Sequence, residues 1–309
     1  MPNVGEVKVP DRRPSFLERL GRTDSVSGWA LVSPAVVLIG IFGLLPVLMS
    51  LQLSFEQSDL LTPETPWVGL ENYRKLADDP MFVEAIKHTI IYTALFVPGT
   101  MLVGLFVATA MNRSVRFISV YRTAAYITMA VSTISQGIIF LWLTDRDYGL
   151  VNAALNAMGA PSQPFLASPS QALYVIVAMT IWGWTGFSVI VYLAALQGVP
   201  AELHEAAAID GASAFTRFRT ITVPLLGPAN LFLVVWLTIN ALQLFDEVYV
   251  TTRGGPLRAT TVIVYYLWDR AFVHFDAGYA AAMAYMLFVV ILVITAVQFR
   301  VARRHVHAS

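Results

Sequence analysis

No cysteine occurs among the 309 residues, which excludes a disulfide framework, a thiolate metal site and a cysteine nucleophile. Charge is scarce as well. Asp, Glu, Lys and Arg make up 13% of the chain, against about 25% in a soluble domain. The formal net charge is zero, so no electrostatic footprint for a nucleic-acid partner exists. A G-x-x-x-x-G-K-[ST] phosphate-cradling loop is missing, and so is a G-x-S-x-G nucleophile turn. His204–Glu205 opens like a zinc-protease H-E-x-x-H, but position 208 is alanine and the second ligand is lost. His88, His274, His305 and His307 are scattered, and the last pair fits a solvated tail better than a two-ligand metal site. No catalytic residue, no metal set and no bound cofactor is expected. Nor does any short-period repeat or low-complexity tract occur.

Apolar residues, by contrast, make up 57% of the sequence, with a mean hydropathy of +0.64. A membrane-spanning helix needs about 20 predominantly apolar residues. Six segments qualify: 29–54, 88–111, 119–143, 172–195, 226–246 and 279–299. Residues 1–27 are polar, and the apolar run after them exceeds the roughly 7–15 residues of a signal-peptide core. With no A-x-A-like cleavage site following it, this run reads as a retained first span. Pro34, Pro46 and Pro98 fall inside spans, where neighbouring helices satisfy the freed backbone groups.

Orientation follows from the cations. With the N-terminus inside, the inner segments hold Lys8, Arg12, Arg13, Arg19, Arg22, Arg113, Arg116, Arg122, Arg217, Arg219, Arg300, Arg303 and Arg304. The outer segments hold Arg74, Lys75, Lys87, Arg146, Arg253, Arg258 and Arg270, several of them in longer loops. The positive-inside rule therefore puts both termini and residues 196–224 in the cytoplasm. The chain reads as an all-α integral membrane protein: a cytoplasmic segment 1–27, a six-span body 28–300 and a cytoplasmic tail 301–309. The outer loops carry helical patterns at 68–85 and 149–159, and 262–268 is too short to span and is expected to lie against the outer surface.

The cytoplasmic stretch 205–229, EAAAIDGASAFTRFRTITVPLLGPA, is unusual for a membrane chain. Pro200 suits a helix start, Glu202 and Glu205 sit well near its positive end, and Ala206–Ala208 favour helix. Asp210–Gly211 breaks it, since glycine admits the positive φ of a tight turn. Ser213 is placed to cap a second helix. A basic amphipathic hairpin in the lipid headgroups is one reading. The small acidic first helix, the compact turn and the smooth alanine face favour the other, a protrusion onto which another protein closes.

E-A-A-x-x-D-G-A followed by F-x-x-I-x-x-P and a further proline resembles the EAA loop of permease subunits of ABC importers. Glu205, Ala206, Ala207, Asp210, Gly211, Ala212, Phe218, Ile221, Pro224 and Pro228 fill the pattern. VGLENYRKLADDPMF, FDEVYVTTRGGP at 245–256 and AFVHFDAGYAAAM at 271–283 resemble its carbohydrate-uptake branch, so the likeness covers about residues 28–300. The resemblance implies a non-catalytic permease in a bacterial or archaeal inner membrane, importing a sugar. Implied partners are a second homologous permease, two ATP-binding subunits that hold ATP and Mg, and an extracytoplasmic solute-binding protein. It also implies a cytoplasmic coupling helix between spans four and five, carried by Glu205, Ala206, Ala207, Asp210, Gly211 and Ala212, with Arg217 and Arg219 as salt-bridge partners to the ATPase.

Polar side chains inside spans are costly and tend to face a cavity or another helix. Thr128, Ser132 and Gln136 recur every four residues in span three, with Ser135 beside them. Thr180, Trp184, Ser188 and Tyr192 do so in span four, flanked by Trp182 and Thr185. Trp236, Asn240, Gln243 and Glu247 share a face of span five. Hydroxyls, amides and an aromatic face are what a sugar requires. Ser132, Gln136, Trp182, Trp184, Thr185, Ser188, Asn240 and Gln243 are therefore the candidate substrate contacts, with interhelical hydrogen bonding as their alternative task. No Lys or Arg lies mid-span, which favours a neutral sugar over a phosphorylated one. Glycerol phosphate stays open, because a paired permease could supply the cations. A stand-alone secondary transporter would show inverted repeats or a proton relay, and neither is evident.

Overall fold

The structure, a computed structural model, describes residues 24–59, 64–112 and 117–306. The N-terminal segment with its cations, Arg113, Arg116 and the last three residues lie outside this set. Two units are present. The described residues of the first, which ends at Gln52, are helical: α1 (Asp24–Ile39), a π turn (Gly40–Leu44) and the start of α2 (Leu45–Leu53). Residues 28–53 are long and apolar enough to cross a membrane.

The second unit begins with α3 (Glu71–Asp78), α4 (Pro80–Met111), α5 (Ile118–Ala130), α6 (Thr133–Leu143) and α7 (Leu150–Ala157). After these come α8 (Ala172–Gln197), α9 (Ala201–Ile209), and α10 (Ala214–Arg217), which passes through a π turn (Phe218–Thr222) into α11 (Val223–Leu225). The chain closes with α12 (Gly227–Leu242), α13 (Asp246–Thr251), α14 (Ile263–Trp268) and α15 (Ala277–Val306). α4, α8 and residues 277–301 of α15 are single spans by length and composition. The pairs α5–α6 and α10/α11–α12 are bent by 101° and 65°, so six crossings result when each bent pair counts once. Two of the π turns end two residues before a proline, Pro46 and Pro224. A proline ring clashes with the carbonyl four residues back, and a widened turn relieves that clash.

Several boundaries differ from the sequence expectation for local reasons. The second span starts at Pro80 rather than 88, because the Asp79 carboxylate caps the helix at the Met81 N–H (2.8 Å) and Pro80 fills the first position. The third span is not straight. Val131 is extended, Ser132 accepts from the Ser135 N–H, and the helix restarts in a new direction. The four-residue register of Thr128, Ser132 and Gln136 therefore does not survive as one face. The fifth span stops at Leu242, and Glu247 begins again on a separate short helix. The 262–268 segment is no surface strip: Ile263, Tyr265 and Tyr266 are buried.

The core lies where α4 packs along α8, with α5 and α12 closing against them. Tyr92, Phe96, Ile176, Met179, Val189, Tyr192, Leu233 and Leu237 are buried there. Close approach depends on small residues, as is usual between membrane helices. Gly104 faces Ser188, and Gly186 faces the Ala125 carbonyl. Contacts of Gly99 with Ile181 and of Gly104 with Ser188 advance together along both chains, so α4 and α8 run parallel. The Asp79 end of α4 thus lies opposite to the α9–α11 hairpin that follows α8.

At that far end Asp79 gathers three elements. Its Oδ2 accepts from the hydroxyls of Tyr266 (2.7 Å) on α14 and Tyr279 (2.6 Å) on α15. Arg270 pairs with Asp276 (2.7 Å) and lies over the Tyr279 ring. Burial raises the Asp79 pKa, but the two tyrosine hydroxyls and the amides of Met81 and Phe82 outweigh it and hold the group below the usual carboxylate range. Such a depressed carboxyl stabilises the fold above its ordinary pKa of about 4, and the gain is lost as pH falls through the lower folded value. Asp79→Ala, which removes the cap and both tyrosine bonds, is expected to cost about 2–3 kcal/mol after discounting for partial exposure. Thermal midpoints of the purified protein from pH 7 to pH 3 check both statements: the gap between wild type and Asp79→Ala should close on acidification. A gap that stays constant with pH would assign the loss to packing.

Candidate functional site

Half-way along α4 and α8 the bundle opens into a cavity of about 260 Å³. Tyr92 and Phe96 from α4 stack on one another with centroids 5.3 Å apart, and Trp184 of α8 meets Phe96 edge-on at 6.4 Å. Thr133, the first residue of α6, faces the same space. Asn240, Gln243, Leu244, Phe245, Asp246 and Glu247 complete the lining from the break between α12 and α13. This break is why so many polar groups converge: a helix end frees Gln243 and re-aims the next turn. Phe245 is fixed by an aromatic cluster with Tyr249, Tyr265 and Trp268 at 5.3, 6.3 and 5.9 Å.

The polar lining is largely uncommitted. Asn240 donates its amide to the Trp236 carbonyl at 2.8 Å, which leaves its side-chain oxygen as an acceptor. Gln243 makes no side-chain hydrogen bond among the described residues, and Glu247 makes no salt bridge among them. Among the described residues no Lys, Arg or His contributes to the lining. Glu247, on the short helix α13, is partly buried. Aromatic faces beside amides and carboxylates suit a hydroxyl-rich ligand: C–H surfaces stack on rings while hydroxyls bond to the rim.

Of the residues singled out from the sequence, Trp184, Asn240 and Gln243 line this cavity. Gln136 is buried elsewhere, its amide donating to the Val131 carbonyl (2.9 Å) left unpaired by the helix break, and its tip lies over Gly183. Ser132 caps α6. Trp182 packs on Phe140 at 5.9 Å. Thr185 donates to the Ile181 carbonyl (2.6 Å). Ser188 is buried against Gly104, its hydroxyl without a partner among the described residues. Sequence reading passed over Tyr92, Phe96, Thr133 and Phe245. Its available signal was the Tyr92–Phe96 pair one turn apart.

At the end of α8 the chain forms the hairpin. Gly211 has φ +79° and its N–H donates to the Ala208 carbonyl at 3.1 Å, closing α9 with a tight turn. Ser213 accepts from the Thr216 N–H at 3.2 Å and starts α10. Glu205, Ala206, Asp210 and Gly211 are exposed, Ala207 and Ala212 half-buried. Arg217 reaches back to the His204 carbonyl at 3.2 Å, bracing the two arms, whereas Arg219 is exposed. Ile209 and Phe215 present large apolar side chains beside the turn, 86% and 73% exposed. The result is a short, internally braced protrusion joined through α8 to the Trp184 wall of the cavity.

Comparison with known proteins places these features in a family. Residues 100–307 match the binding-protein-dependent transport system inner membrane component family. The lactose transport system permease protein of Rhizobium radiobacter is 35% identical over 290 residues, covering 92% of this chain and 96% of that protein. The sn-glycerol-3-phosphate transport system permease protein of Agrobacterium fabrum is 33% identical over 280 residues, covering 90% and 95%. A crystal structure of a bacterial ABC transporter involved in import of the acidic polysaccharide alginate superposes with a TM-score of 0.79 at 25% identity, over 94% of this chain and 99% of that one. The bent spans, the mid-bundle cavity and the braced hairpin belong to a non-catalytic membrane subunit of an importer, and this chain is a member of the binding-protein-dependent transport system inner membrane component family.

Proposed function

We propose that the cavity is this chain's part of a sugar translocation path and that the hairpin, through Glu205–Ala212, is where an ATP-binding subunit drives it. The observation that carries this reading is the short link between the two: α8 supplies Trp184 to the cavity, and only residues 198–200 separate its end from α9 of the hairpin. Displacing the hairpin displaces α8, and a helix transmits that motion as a stiff rod. The hairpin then faces the cytoplasm with both termini, and the Asp79 end faces outward toward a solute-binding protein. A second permease supplies the other half of the path. Two ATP-binding subunits hold the ATP and Mg, and this chain holds no cofactor. Arg219, exposed, is available to the ATPase; Arg217 serves inside the hairpin. A neutral sugar or oligosaccharide is the substrate the lining fits, with amide and carboxylate acceptors for hydroxyls and rings for the sugar faces.

Proteoliposomes containing the assembled transporter, its binding protein and internal ATP test the reading. Uptake of a neutral sugar that depends on hydrolysable ATP is the expected result. Uptake that proceeds without nucleotide would replace it with a secondary transporter.

A further inference from the structure

Relatives of nearly equal similarity are named for lactose and for glycerol 3-phosphate, so membership of the family does not set the charge of the substrate. The lining of the cavity does. We infer that Glu247 acts as a charge filter in the cavity, admitting neutral or cationic hydroxylated ligands, amino sugars included, and turning away phosphate, sulfonate and carboxylate groups. The inference rests on the reading that the cavity carries substrate.

Three observations support it. Asp246 and Glu247 bring two carboxylates to the lining, and no cationic side chain among the lining residues answers them. The positive end of α6 at Thr133 is the opposing charge in reach, and a helix terminus amounts to about half a unit. Two carboxylates outweigh it. Glu247 also shares the cavity with the rings of Tyr92 and Phe96, an apolar wall of lower dielectric than water that strengthens any field it borders. Asp246 is the more exposed of the two acids, so solvent screens it further and Glu247 dominates. The other titratable group facing Glu247 is Tyr92 on α4; α6, α8 and α12 bring none to the lining. An anion entering this space meets uncompensated like charge, whereas a sugar hydroxyl donates to the same carboxylate.

The absence of cysteine makes a direct test available, because one introduced thiol is this chain's sole target. The assembled complex carrying Asn240→Cys is treated at pH 8.5 with a cationic trimethylammonium-ethyl or an anionic sulfonatoethyl methanethiosulfonate, and modification is read from the mass of this chain. Met158→Cys, at a site 74% exposed on α7's outer end and away from the cavity lining, gives the reference ratio of rates. The cation-to-anion ratio at Asn240→Cys should exceed the reference about tenfold. Adding Glu247→Gln should bring it within about threefold of the reference, while Asp246→Asn should change it less. A ratio at Asn240→Cys no higher than the reference overturns the filter, and this holds even if the Glu247→Gln complex fails to assemble. A ratio that collapses with Asp246→Asn and not with Glu247→Gln overturns the assignment to Glu247. Neither result depends on transport, so ATP-dependent sugar uptake alongside a failed ratio leaves the proposed function standing.

Discussion

Gly211→Pro is expected to reduce coupled sugar uptake at least a hundredfold while the subunit still assembles with its partners. Gly211 sits at φ +79°, and proline is confined near −65°. Its N–H also donates to the Ala208 carbonyl, a bond proline cannot make. Space is not the obstacle, since an added Cβ would meet nothing within 4 Å. The backbone must therefore re-route, and the turn that presents Glu205–Ala212 as one rigid unit is lost. Gly211→Ala separates the two effects: it keeps the N–H and pays only the left-handed strain, about 1–2 kcal/mol, so partial coupling should remain. Gly211→Asn, whose side chain tolerates that region, should come close to wild type. Binding-protein-stimulated ATP hydrolysis and uptake are measured on the same proteoliposomes, with assembly checked by co-purification. Gly211→Pro complexes importing within twofold of wild type would show that the hairpin's turn transmits nothing.

Gly104→Leu carries the second large effect, this time on the fold. A Cβ at Gly104 would lie 2.5 Å from the Cβ of Ser188 and 3.4–3.5 Å from its backbone carbon atoms. Nothing flexible stands in the way to be moved; the parallel helices α4 and α8 must separate along their whole contact. Gly104→Ala already forces a shift, with an expected loss of about 1–3 kcal/mol from overpacking. Gly104→Leu should leave no monodisperse folded protein in detergent. The contrast is Gly99, where an added Cβ meets the Ile181 side chain, whose end can turn aside. Gly99→Ala should lower the thermal midpoint less than Gly104→Ala. An unchanged midpoint for Gly104→Leu would mean that α4 and α8 do not pack as described. Because Tyr92, Phe96 and Trp184 stand on these two helices, a wedge at Gly104 also widens the cavity, so weakened sugar uptake in a surviving Gly104→Ala protein is part of the same expectation.

Much of the fold was legible because lipid imposes a simple rule. Uninterrupted apolar stretches must be helical to satisfy their backbone, and this located α4, α8 and the membrane part of α15 to within a few residues at most of their ends. The hairpin was legible for another reason: Asp210–Gly211 and Ser213 are local signals, read by their own backbone within three or four residues. Periodicity failed at the breaks. Thr128, Ser132 and Gln136 look like one face only if span three is continuous, and a serine that caps a new helix is indistinguishable in sequence from one that lines an old one. Glu247 was aligned with Asn240 on a helix that in fact ends at Leu242, yet both line the cavity, because the break bends the chain back toward it.

The sequence by itself determined the membrane class, the approximate spans, the turn at Gly211 and the lack of any catalytic constellation, since each depends on composition or on neighbours a few residues apart. Only the tertiary structure decided which polar groups are structural and which are free. Gln136 is used up on the Val131 carbonyl and Ser188 is sealed by Gly104, whereas Trp184, Asn240, Gln243 and Glu247 share open space with Tyr92 and Phe96. A side chain's hydrogen-bonding capacity is fixed by its type. Whether that capacity is already spent depends on helices that meet it from far along the chain.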